Sequence, residues 1–147
     1  MDIIQQRAYQ GMAALRDLEA TEPLLAGMAY GQPGFARRAA MRALATLCAE
    51  QSRDTRPVRE AFIEALHDPD FRVRMEAVTS LETLGQTQAT SALQDIVDTS
   101  ADSRLRRRAR EAVRNLKEAR SSGAQISELR DQGEALRKEL LQLRSRL

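Results

Sequence analysis

The chain of 147 residues has no tryptophan, two tyrosines, three phenylalanines, one cysteine and one histidine. A single cysteine excludes an internal disulfide framework. One histidine with one distant cysteine leaves too few soft ligands for a zinc site, and the sequence holds no His-Glu-x-x-His motif. No glycine-rich phosphate loop is present. No apolar run approaches the roughly 18–20 residues that a membrane-spanning helix needs. The opening "MDIIQQRAYQ" lacks a basic segment followed by an apolar core, so no signal peptide is expected. These absences place the chain, as an expectation, in the cytoplasm, without cofactor or metal. They leave no constellation for catalysis, and the expectation is a protein that is not an enzyme.

What remains is rich in helix formers. The composition is 42% hydrophobic and 30% charged, which suits a folded domain and not a disordered one. Four prolines and seven glycines fall almost entirely between amphipathic runs. The formal net charge of +2 conceals an asymmetry: residues 1–100 hold 10 basic and 14 acidic side chains, residues 101–147 hold 13 basic and 7 acidic. The basic surplus is therefore a C-terminal feature.

The stretch "DPDFRVRMEAVTSLETLG" (68–85) is one copy of a repeat. Ala8, Ala40, Ala77 and Ala109 align at spacings of 32, 37 and 32. Four residues before each stand Ile4, Ala36, Val73 and Leu105, and at the next position Gln5, Arg37, Arg74 and Arg106. Four residues after come Met12, Leu44, Leu81 and Val113, then Leu15, Leu47, Leu84 and Leu116. Steps of three and four keep these side chains on one helix face. A second helix recurs between the copies, aligning Leu24/Ala61/Ala92, Leu25/Phe62/Leu93, Met28/Ala65/Ile96 and Ala29/Leu66/Val97. Pro23 and Pro57 mark first turns, where a missing N–H costs nothing. "GQPGF", "HDPDF" and "TSADS" supply the connecting turns. A lone helix pair cannot bury its apolar stripe, but stacked pairs can, so the expected fold is an all-α solenoid of about three and a half helix pairs. Its continuous core should include Ala40, Leu44, Leu47, Phe62, Leu66, Ala77, Leu81, Leu84, Leu93 and Ile96.

The aspartate, valine–arginine, alanine and leucine order of 68–85 resembles HEAT-like repeats of the phycobilisome-lyase type, over about residues 3–120. That resemblance implies that the turn aspartate and helix arginine tie neighbouring repeats, here Asp70 with Arg74 and Asp102 with Arg106. Pro33 stands in place of the aspartate before Arg37, and Gln5 in place of the arginine in the first copy. "LLAGMAYGQPGFARRAAMRALATL" (24–47) also resembles the C-terminal HEAT-like ending of aminopeptidase N-type gluzincins, which would make the chain a structural part, or a detached relative, of such an enzyme. The zinc motif of those enzymes is missing, so no peptidase activity carries over.

Individual polar residues read as structural. His67 closes a helix, where its charged form suits the dipole. Cys48 ends an amphipathic helix as a small, partly buried residue. Glu60, Glu64, Glu76 and Glu82 fall on polar, solvated faces. On the first helix, Ile3, Ile4 and Tyr9 would be left partly exposed, marking an edge that meets another domain or subunit.

"SRLRRRAREAVRNLKEAR" (103–120) carries eight basic and two acidic residues. Its apolar face continues the repeat, and the rest serves as the polar outer surface of a terminal repeat. Arg104, Arg107, Arg108 and Arg114 are candidate partner contacts, either to an acidic protein surface or to a phosphate backbone; the scarcity of aromatics argues against base stacking. "SSGAQ" (121–125) reads as a linker, dividing a repeat domain (1–120) from a coiled-coil helix (126–147). In the latter, Ile126, Gly133, Leu140 and Leu147 take one seam position and Leu129, Leu136 and Leu143 the other. An Arg-rich helix before a leucine heptad is similar to basic-zipper proteins, but the expected linker and the repeat face of the basic helix oppose that reading. The function expected is a protein-interaction or assembly module, derived from or appended to a larger protein, whose partners are proteins, including a second copy of itself, with no membrane contact. A nucleic-acid-binding repeat protein using the Arg-rich helix 103–120 is one alternative, and a C-terminal structural domain of an aminopeptidase-like enzyme, with no partner of its own, is the other.

Overall fold

The structure is a computed structural model that describes residues 21–49 and 55–147. The first repeat copy, with Ile4, Gln5, Ala8, Met12 and Leu15, and the exposed edge expected at Ile3, Ile4 and Tyr9, lie outside the described residues. The described residues contain α-helices, one short 3-10 turn and no strand, and the all-α solenoid expected from the repeat is what they form. In chain order the helices are α1 (Thr21–Gly27), α2 (Gly34–Ala49), α3 (Arg56–Ala65), α4 (Phe71–Leu84), α5 (Thr90–Thr99) and α6 (Ser103–Ser145), with the 3-10 turn at Thr87–Ala89.

Each boundary has a local cause. Asp70 sits in extended backbone before α4 and its carboxylate accepts the Arg72 N–H at 2.9 Å. Asp102 does the same for α6, accepting from Arg104 N at 2.8 Å and Leu105 N at 3.3 Å. Both satisfy amide donors that a helix start leaves without partners. Gly85 ends α4 in the left-handed region (φ 71°), with its N–H turned back to the Leu81 and Glu82 carbonyls, a conformation that a side chain with Cβ resists. Gly31 also lies in the left-handed region (φ 98°), in the turn between α1 and α2, where the Gln32 N–H donates to the Ala29 carbonyl at 3.2 Å.

The chain forms two compact units, Met1–Leu116 and Lys117–Leu147. In the first, α2 packs against α1 and α4, and α3 against α4. One continuous core runs through it. Ala40, Leu44, Phe62, Ala77, Leu81 and Leu93 are completely enclosed, and Leu47, Leu66, Leu84 and Ile96 are buried beside them, so all ten expected core positions are buried together. Ala36, Val73 and Leu105, the residues four before the repeat alanines, are buried too. α2 is covered on more sides than its periodicity alone predicts: Ala39, Ala43 and Ala45 are buried as well. Alanine makes this possible, because it lets two neighbouring helices approach without a side chain to displace.

One register expectation is corrected. In α1 the enclosed residue is Leu24, and Leu25 is half-buried, the reverse of the alignment with Phe62 and Leu93.

The expected linker is also corrected. Residues 121–125 are helical, and α6 is unbroken from Ser103 to Ser145. Gly123 is not in the left-handed region, so it costs the helix only about 1 kcal/mol of propensity. The Ala, Arg, Glu and Lys residues around it are strong helix formers. The loss of this break removes one of the two objections to the basic-zipper comparison. The other stands: Leu105, Ala109, Val113 and Leu116 on the basic helix are buried in the repeat core.

Leu81 is fully enclosed in this core, and Leu81→Ala should lower stability by about 2–5 kcal/mol, the range for a truncated core leucine. Urea unfolding followed by circular dichroism measures it. A loss below about 0.5 kcal/mol, the range of surface substitutions, would contradict the packing described.

Candidate functional site

The contacts between repeats use charge as well as apolar surface. Arg37, on α2, reaches back to the Met28 carbonyl at 2.9 Å and forward to the Asp68 carboxylate in the turn before α4. Both side chains of this ion pair are buried. Burial alone pushes the Asp68 carboxyl up. The hydrogen bond from Arg37, that from the Asp70 N–H and the positive charges of Arg37 and Arg74 outweigh burial, so the group is held below its ordinary value. The pair lines a cavity of about 540 Å³ beside Tyr30, Glu64 and His67, and Arg37 lies 5.9 Å from the centre of the Tyr30 ring.

The arginine ladder implied by the family resemblance is present in altered form. Arg74 donates to the Asp68 and Pro69 carbonyls at 2.6 and 3.1 Å, and Arg106 to the Ser100 and Ala101 carbonyls at 2.7 and 3.3 Å. Each arginine therefore pins the turn before its own helix. Neither makes the expected pair with Asp70 or Asp102, whose short side chains reach the backbone of their own helix start first. A Cβ on Gly34 would stand 2.8 Å from Asp70 Oδ2, so the first residue of α2 lies close against that turn and leaves no room there for a side chain without a shift of Asp70.

Further ties join successive first helices. Arg42 meets Glu76 through two 3.2 Å hydrogen bonds. Arg108 meets Glu82 at 3.0 and 3.2 Å, and Asn115 approaches the same carboxylate at 3.4 Å. The hydrogen bonds to Glu76 and Glu82 raise the Arg42 and Arg108 guanidinium groups further, against the opposing effect of burial. Glu76 and Glu82 are thus not simply solvated, as their helical positions suggest; Glu60 and Glu64 are exposed. Arg59 donates to the Gln86 side chain at 2.6 Å, and Gln86 in turn donates to the Thr55 hydroxyl.

The candidate contact arginines divide. Arg108 is occupied by Glu82, with Glu111 at 3.8 Å, so it is a tie between repeats and not a free contact. Arg104 lies 4.3 Å from the centre of the Phe71 ring and 3.5 Å from Asp102, though its side chain stays largely in solvent. Arg107 and Arg114 are exposed and, among the described residues, have no ion-pair partner. Arg110, not singled out by the sequence, lies between them on the same face and is exposed in the same way; the spacing of three and four could have identified it. Ser103, Arg104, Arg106, Arg107 and Arg110 line a shallow polar cleft of about 320 Å³.

In the second unit every residue from Lys117 to Leu147 is exposed. Ile126, Leu129, Leu136, Leu140 and Leu143 are each 58–66% exposed. The spacing of three and four puts them on one side of the helix. Leu141, outside the seam, is exposed too.

His67 is exposed and Cys48 is buried, where burial pushes its thiol up and away from the reactive thiolate. Among the described residues no group of three or more His, Cys, Asp or Glu side chains could hold a metal ion. No described helix is long and apolar enough to cross a membrane.

Stacked helix pairs with a continuous core, small residues at the helix contacts and arginine-pinned turns define a helical-repeat protein. The chain belongs to the HEAT repeat family: the family described as HEAT repeats matches residues 36–114, more than half of its length. No curated protein matches it. The family match supports the HEAT-like reading of the sequence and gives none to the aminopeptidase N one.

The buried Arg37–Asp68 pair makes stability depend on pH. The Asp68 carboxyl titrates lower in the folded chain than in the unfolded one, so its contribution is complete above the ordinary aspartate value of about 3.9. It is lost as pH falls through the lower folded value. Asp68→Ala, which strands Arg37, should cost about 3–5 kcal/mol near neutral pH, and the difference from the parent chain should shrink as pH drops below about 4. Thermal melts across that range measure it; a difference that stays constant with pH would show that the charge on Asp68 is not what stabilises the fold.

Proposed function

We propose that the protein is a non-catalytic interaction and assembly module with two contact elements. HEAT repeats generally mediate protein–protein interaction, and the repeat unit supplies a stiff helical surface for it. The leucine-bearing stretch 126–147 supplies the second contact and brings two copies of the chain together. One observation carries this reading: five large apolar side chains at heptad positions, Ile126, Leu129, Leu136, Leu140 and Leu143, are all more than half exposed. Aliphatic side chains in such a row lose about 25 cal/mol for each Å² of apolar surface left in water, and a partner helix removes that loss. Long solvated helices without a seam do not need one.

A second observation extends the reading to the repeat unit. Arg107, Arg110 and Arg114 form an exposed basic row on α6. In this account the row receives an acidic protein surface. The same row on a phosphate backbone would be the nucleic-acid alternative, which would show as binding to double-stranded DNA or RNA that falls steeply with salt.

Sedimentation equilibrium of the full chain tests the assembly claim. The parent should sediment with twice the monomer mass in the micromolar range, and the double variant Leu136→Asp, Leu143→Asp with the monomer mass, while the melting of the repeat unit stays unchanged. A parent chain that remains monomeric throughout that range would defeat self-association.

A further inference from the structure

We infer that the two copies pair through 126–147 as a parallel, in-register, two-stranded coiled coil, with the charges flanking the seam excluding the antiparallel arrangement. The inference rests on the self-association proposed above and adds to it the direction of the chains and the residues that select it.

The seam has a fixed charge pattern beside it. Residues directly after the second seam position are Arg130, Arg137 and Arg144, a basic flank repeating every seven residues. Residues directly before the first seam position are Gln125, Gln132, Glu139 and Arg146. All of these are exposed, and none has an ion-pair partner among the described residues. Such flanking positions set partner choice and orientation in coiled coils.

In a parallel, in-register pair, a residue before the seam faces a residue after the seam in the next heptad of the other chain. Gln125 then faces the partner's Arg130, Gln132 the partner's Arg137, and Glu139 the partner's Arg144. No like charges meet, and the two-fold axis produces the Glu139–Arg144 ion pair twice. In the antiparallel pair that keeps the seam leucines together, like flanks face each other. Arg137 then meets the partner's Arg137, Arg130 meets the partner's Arg144, and Glu139 meets the partner's Glu139. Every fully charged contact of that arrangement is repulsive. The apolar seam tolerates both directions, and the charges discriminate between them. Gly133 marks the thin point of the seam. A Cβ built there meets nothing within 4 Å, so a larger apolar residue at 133 would be accepted by the single helix and would fill the gap in the pair.

Disulfide trapping of the full chain tests the direction. In a Cys48→Ala background, Leu129→Cys and Leu143→Cys are made separately, with Asp131→Cys, on the outer side of the helix, as the collision control. In the parallel pair each seam cysteine lies opposite its own counterpart, so mild oxidation should convert most of the Leu129→Cys and Leu143→Cys chains to linked dimers and leave Asp131→Cys largely unlinked. In the antiparallel pair residue 129 lies opposite 147, and its counterpart is about 27 Å away along the helix, out of disulfide reach. Chains that sediment as dimers under reducing conditions yet do not link at 129 or 143 would overturn the parallel arrangement and leave self-association standing. Chains that sediment as monomers, with linking no greater than at 131, would overturn both. Gly133→Leu supplies an independent reading: it should tighten the association relative to Gly133→Ala, which restores helix propensity without filling the seam, and equal affinities for the two would contradict a seam contact at 133.

Discussion

Close approach of helices at alanine is the constraint on which the first unit depends. Ala40, Ala77 and Ala109 occupy the same position in successive repeats, and each is completely enclosed. Helices normally pack with their axes about 8–10 Å apart, the distance being set by the side chains at the contact. A methyl group at the contact keeps that distance short. It brings the aliphatic residues on either side, such as Val73, Leu81 and Leu84, into one core. α2 shows the constraint most fully: with alanine also at 36, 39, 43 and 45, it can be covered by α1 and α4 at once. α6 shows the opposite case. Its buried face, from Leu105 to Leu116, is matched by arginines on the other side, and a helix so charged can be covered on one side only.

Polar groups then hold what the alanines bring together. The arginines at the equivalent positions 74 and 106 lock the turns before their helices, while Asp70 and Asp102 cap the same helices. Arg37 differs because its turn contains Gly31 and Pro33 in place of an aspartate, so its guanidinium is free to cross to the next repeat and pair with Asp68. A turn that departs from the repeat pattern is thus where the most buried charge pair among the described residues sits. Losing one partner of such a pair leaves an uncompensated charge, which costs more than the pair itself contributes.

The repeat was legible because burying a helix stripe requires apolar residues at steps of three and four, and because the alanine contact recurs at one position. All ten expected core residues lie where that pattern puts them. The Arg37–Asp68 pair was not legible, since its members are 31 residues apart and "HDPD" reads as an ordinary turn. Asp70 and Arg74 were placed correctly and given the wrong partners: spacing shows which residues share a turn, not whether a carboxylate reaches an arginine or a backbone N–H first. Arg108 looked like its neighbours in a basic run, and only the position of Glu82 across the helix contact separates it from Arg107 and Arg114. Residues 121–125 read as a linker on composition, but one glycine among helix formers is too small a penalty to end a helix of 43 residues. Of the candidate contact residues, the exposure of the seam residues was legible, because a heptad row is a property of one helix; which arginines stay unpaired was not, because that depends on the carboxylates of the neighbouring helix.

The described core of the repeat unit is packed within one chain, whereas the apolar row of 126–147 is exposed in it, and a second copy is proposed to cover that row. Hydrogen–deuterium exchange of the full chain, followed residue by residue from low to high micromolar concentration, tests that separation most directly. Amides of α4 and of α6 up to Leu116 should be protected to the same degree at every concentration, because their burial is intramolecular. Amides of 126–147 should exchange fast when dilute and become protected as concentration rises. Protection of 126–147 that does not change with concentration, or protection in α4 that rises together with it, would contradict the account.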